Sequence, residues 1–197
     1  MMTKRWDAVM MLGLLLAMAF SMVVGFDARC ETVRDGVLRL HILANSDSQS
    51  DQALKLLVRD AILDETKADF AAAETLLSAV ATAGELLPQI RATAEKALRE
   101  AGCTDAVNVS LVNMYFDTRT YGERTLPAGF YDAIRITIGA GEGHNWWCVM
   151  FPPLCVGTAM DSAELAAIDA LGGGVEYRLS FASVEWLERL LKILKGQ

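Results

Sequence analysis

Apolar positions recur in three distinct patterns along the chain. The first is continuous: Ala8 to Phe26 contains no charge, and Lys4 and Arg5 precede it. An apolar run on every face behind positive charge holds the N-terminus inside and sends the downstream chain across a membrane. Residues 1–26 are therefore expected to be either a cleaved signal peptide or an uncleaved membrane anchor, with residues 27–197 as a single exported domain. Arg29 stands before Cys30, where a lipoprotein signal requires a small residue.

The second pattern alternates. Leu38, Leu40, Ile42 and Ala44 share one face of a strand, with Val37, Arg39, His41 and Leu43 on the other. Val107, Val109 and Leu111 begin another strand that continues through Phe116, and Phe130 to Ile138 a third, with Ile134, Ile136 and Ile138 in phase. His144 to Phe151 alternates between two largely apolar faces, as in a strand covered on both sides, and Pro152-Pro153 ends it. Between the last two, Gly139-Ala140-Gly141-Glu142-Gly143 predicts a hairpin turn. No helix N-terminus comes after those glycines to make them a phosphate cradle.

The third pattern has helical spacing. Asn45 to Ser48 supplies capping chemistry, and Ala53, Leu54, Leu57, Val58, Ala61 and Ile62 recur at intervals of three and four, with Lys55, Arg59 and Asp60 expected outside. Asp69 to Ala83 predicts a second helix ending at Gly84, and Pro88 opens a third running to Ala101. The segment Asp117 to Gly129 reads as a polar loop. Beyond Pro153 a helix over Asp161 to Leu171, a strand over Val175 to Leu179 and a C-terminal helix striped by Val184, Leu187, Leu190, Leu191 and Leu194 are expected. The result is an α+β fold with a mainly antiparallel sheet and packed helices, in the order β-α-α-α-β-β-β-α-β-α.

Charge and motifs narrow the chemistry. A net charge of −7 and a pI near 4.9 exclude the basic footprint of a nucleic-acid binder. No GxxxxGK[ST], GxGxxG or HExxH occurs, so neither a nucleotide cofactor nor a metal is expected. Cys30, Cys103, Cys148 and Cys155 form an even set, and the short-range pairing Cys148–Cys155 would contribute roughly 2.5 kcal/mol as a staple. His144 and Cys148 share a strand face about 13 Å apart, too far for a nucleophile and its base. His41 could meet a cysteine only through the fold, and a zinc set of His41, His144, Cys148 and Cys155 lacks paired short spacing. An exported thiol- or metal-dependent envelope enzyme is thus the alternative reading. Adjacent Trp146 and Trp147 point to opposite faces, and at least one should be core. With Asn145, Phe151, Pro152 and Pro153 they form a candidate partner contact of aromatic and proline density.

Two stretches carry a resemblance. RLHILANSDSQSDQALKLLVRDAIL (Arg39 to Leu63) and LPAGFYDAIRITIGAGEGHNWWCVMFPPLC (Leu126 to Cys155) strongly resemble the stage II sporulation protein R family. His41, Asn45, Ser46, Asp47, Asp51, Gln52 and His144 stand in the shared motifs. The resemblance implies a non-enzymatic signal, made in the forespore and exported into the space facing the mother cell. There it would activate a membrane-embedded aspartic protease, stage II sporulation protein GA, which processes the sigma-E precursor. It implies no catalytic residues.

Overall fold

A computed structural model describes residues 2–121 and 124–152. A long helix, α1 (Met2–Arg34), leads into strand β1 (Leu38–Leu43) and helices α2 (Gln49–Ala71) and α3 (Leu76–Glu100). Strands β2 (Val107–Phe116), β3 (Arg119–Tyr121), β4 (Arg124–Leu126), β5 (Gly129–Ile138) and β6 (Asn145–Phe151) come next. The α+β class with a mainly antiparallel sheet stands. The main sheet has the order β2-β5-β1-β6; β5 pairs antiparallel with β2, β1 antiparallel with β6, and β1 parallel with β5.

The alternating residues divide two cores as the sequence predicts. Leu38, Leu40, Ile42, Ile134, Ile136, Ile138, Cys148 and Met150 face α2 and α3, where Val58, Ile62, Ile90, Ala94 and Leu98 meet them. Val37, Phe116, Tyr131, Ala133 and Val149 face the other way, against Val33 of α1 and Leu126 of β4. α1 therefore does not stop with the uncharged run: Cys30 and Val33 are buried with the sheet, whereas Trp6 and the large apolar side chains described from Val9 to Val24 are exposed. Among the described residues no helix is long and apolar enough to cross a membrane; the side chains of Ala8, Val23 and Phe26, inside the uncharged run, lie outside the described part.

Four expectations are corrected. Only two helices separate β1 from β2, because the break falls before Thr75 rather than at Gly84. Thr75 and Ser78 form a reciprocal capping box that starts α3. Pro88 lies inside that helix, where it removes the hydrogen bond to the carbonyl of Gly84; both residues are exposed, on the solvated side. Lys55 is buried, not outward, because the covered stripe of α2 is Lys55, Val58, Ile62, Thr66 and Phe70. The polar loop contains the small hairpin β3–β4. Finally, the glycine-rich turn is no hairpin: β5 and β6 flank β1, so the turn crosses over the end of β1. The elements expected after Pro152, together with Pro153 and Cys155, lie outside the described residues.

Candidate functional site

The crossing turn brings the two sequence motifs together, although nearly a hundred residues separate them. β1 ends at Leu43, and the chain bends through Asn45–Ser48 into α2. Ser48 caps that helix, its Oγ accepting from the Asp51 N–H at 3.1 Å. Asp51 in turn holds the bend: its Oδ2 accepts from Ser46 Oγ at 2.6 Å and from Asn45 Nδ2 at 3.0 Å. These two donors, Ser46 first, hold the Asp51 carboxyl below its ordinary value.

Glycine is required where the turn lies against this bend. A Cβ on Gly139, whose φ is +56°, would stand 2.2 Å from Asn45 Oδ1, and one on Gly143 would stand 2.2 Å from the Ser46 carbonyl oxygen. The close approach is then used by hydrogen bonds. Asn45 Oδ1 accepts from the Ala140 N–H at 2.9 Å, and the Ala44 carbonyl accepts from the Gly143 N–H at 3.0 Å.

The next residue of each motif continues the join. Asp47 Oδ1 accepts from the His144 N–H at 2.6 Å and also contacts His144 Nδ1. The bonds from the His144 side chain and then its backbone push the Asp47 carboxyl down. Beneath them, Gln52 Nε2 donates to the Ser46 carbonyl at 2.9 Å. Lys55 Nζ donates to Gln52 Oε1 at 2.6 Å and to the His144 carbonyl at 2.8 Å. Burial lowers the Lys55 pKa, partly offset by the Asp47 charge. Lys55 escaped sequence reading because a charge in a helix normally faces solvent. Its place three residues after Gln52, in phase with Val58 and Ile62, was the available signal.

His41, also a motif residue, lies elsewhere. It is buried on the second sheet face, stacked on Trp147 at 4.0 Å, with Nε2 3.0 Å from Asn145 Oδ1. Burial lowers its pKa.

The candidate contact residues split between faces. Trp146 packs on the helix side with the Arg59 guanidinium 4.4 Å from its ring centre, while Trp147 occupies the opposite side. Asn145 is exposed, Phe151 half-buried and Pro152 buried. Their aromatic rings do not form one exposed patch.

The arrangement binds chain to chain, and among the described residues it brings neither histidine to Cys148. His41 and Cys148 point to opposite faces of the sheet, and His144 is exposed while Cys148 is buried. Among the described residues no group of three or more His, Cys, Asp or Glu side chains could hold a metal ion. Cys103 is a free thiol, and Cys30 and Cys148 are buried.

Comparison with known proteins agrees with the paired motifs. The family model described as stage II sporulation protein R matches residues 34–161, which includes both sides of the junction. Stage II sporulation protein R of Bacillus subtilis (strain 168) is 42% identical over 123 residues, covering 62% of this chain and 55% of that protein. The matched region thus spans about half the length of the relative. No solved structure matches. The chain belongs to the stage II sporulation protein R family.

Proposed function

We propose that this protein is an exported signal of sporulation that activates a membrane-embedded aspartic protease, stage II sporulation protein GA, toward the sigma-E precursor. The observation that carries the reading is the family match over residues 34–161, which takes in the complete junction of Asn45–Gln52 with Gly139–His144. In this reading the chain crosses the forespore membrane, and residues 1–26 are the signal segment or the membrane contact. The protease recognises the domain through Asn145 to Pro153, and Cys148 pairs with Cys155 to staple the end of that segment. The interlocked bend supports such a role physically, because fixing the start of β6 pre-organises the segment and reduces the ordering cost of binding.

The decisive experiment reconstitutes the full chain with the membrane protease and the sigma-factor precursor and scores processing. Processing that depends on the added chain is expected; none in a system competent by an independent criterion removes the reading. Truncation of Trp146, Trp147 and Phe151 one at a time tests the contact segment. Loss of activation by a variant that remains folded is expected. If every variant either unfolds or signals normally, the contact lies elsewhere.

A further inference from the structure

The second sheet face carries a charge that the motif junction does not use. Arg39, in β1, is fully buried there. Its guanidinium carbon lies 4.0 Å from the ring centre of Phe116, 5.0 Å from that of Tyr131 and 5.9 Å from that of Tyr121. Nη2 donates to the Tyr121 hydroxyl at 2.6 Å. Nε and Nη1 have no hydrogen-bond partner among the described residues. Those two nitrogens carry three of the five N–H donors of a guanidinium.

Burying a cation without a counter-charge is costly, and the ring faces compensate only part of the lost hydration. The guanidinium groups described beside Arg39 and His41 add further positive charge. Arg135 lies opposite His41 in the register of β1 and β5, and the Arg119 guanidinium is 5.6 Å from the Trp147 ring centre. They gather on one face of a chain whose net charge is −7. His41, two residues along the same face, is buried as well, and its Nδ1 has no partner among the described residues. While its Nε2 donates to Asn145, that Nδ1 is an acceptor, able to take an N–H beside an incoming carboxylate.

We propose that Arg39 anchors a carboxylate-binding site on the second sheet face, walled by Phe116, Tyr121, Tyr131 and Trp147, with His41 Nδ1 accepting from a neighbouring N–H of the ligand. A carboxylate matches the planar donor fork, and an acidic residue within a peptide supplies both the carboxylate and an adjacent amide N–H. This site does not depend on the proposed protease activation.

The test is thermal unfolding of the purified full chain with sodium benzoate or the capped peptide acetyl-Ala-Glu-Ala-amide. Sodium chloride at equal ionic strength and the Gln peptide serve as controls. The wild-type Tm should rise by about 5–10 °C at a probe concentration near a hundred times its Kd. Arg39→Met should abolish the rise, while its Tm without probe is equal to or above that of wild type, since an unpaired buried charge has been removed. A response to both probes identifies any accessible carboxylate as a ligand; a response to the peptide alone identifies an acidic side chain in a chain. If neither probe exceeds its control, or if Arg39→Met keeps the rise, the proposal is overturned. Should Arg39→Met fail to fold, the Arg39 Nε–H resonance of the wild type decides. A shift with either probe sustains the site, and an unmoved resonance shows that the aromatic rings alone hold the guanidinium.

Discussion

Gly143 and Asp47 show how closely the two motifs depend on single atoms. A Cβ at position 143 would meet a backbone oxygen at 2.2 Å, and backbone cannot rotate aside as a flexible side chain can. Gly143→Ala should therefore destabilise the domain by about 1–3 kcal/mol, measured as a lower urea midpoint with unchanged slope. Asp47 gives a pH signature. Its folded pKa is depressed below the ordinary value of 3.8 by the bonds from His144, so the unfolded chain binds the proton more readily. The contribution is present above pH 3.8 and is lost as pH falls through the lower folded value. Asp51, depressed by Ser46 and Asn45, acts in the same direction. His144→Ala should move the Asp47 carboxyl titration toward 3.8 and flatten the acid limb of stability, as followed by carboxyl NMR and acid denaturation. An unchanged Asp47 titration would show that the side-chain contact does not operate in solution.

At the scale of elements, helix α3 separates local propensity from tertiary demand. Gly84 and Pro88 are the strongest helix-breaking signals in the region, yet the helix runs from Leu76 through both to Glu100. Ala79, Ala83, Ile90, Ala94 and Leu98 lie on its covered side, and their burial against the sheet and α2 outweighs the local penalty. The start, by contrast, depends on a cap. Thr75→Ala should cost about 1 kcal/mol, whereas Pro88→Ala should stabilise by up to about 3 kcal/mol, both read by chemical denaturation. A destabilising Pro88→Ala would show that the proline has a packing role.

Across the whole molecule, the end of α1 ties the N-terminal helix to the second core. Val33 is 3% exposed and packs with Val37, Phe116 and Tyr131. Val33→Ala should lower stability by about 1–3 kcal/mol in denaturant unfolding, and a neutral result would show that α1 packs only loosely on the sheet. This is also the scale at which the sequence stops being sufficient. Period-two alternation by itself determined both faces of β1, β2 and β5, and of β6 as far as Met150; a register shift opposite Leu38 and Arg39 then turns Phe151 to the helix side, out of phase with Trp147 and Val149. The capping chemistry at Ser48 and the family motifs were likewise local and legible. Strand order, the parallel pairing of β1 with β5, the turn crossing β1, and the carbonyl that Lys55 meets were not. They arise because β1 inserts between β5 and β6, so that Gly139–His144 must pass over Asn45–Ser48, and the His144 carbonyl draws a lysine beneath it. Only the tertiary structure could decide these, since each is a hydrogen bond or close approach between residues that no local spacing relates.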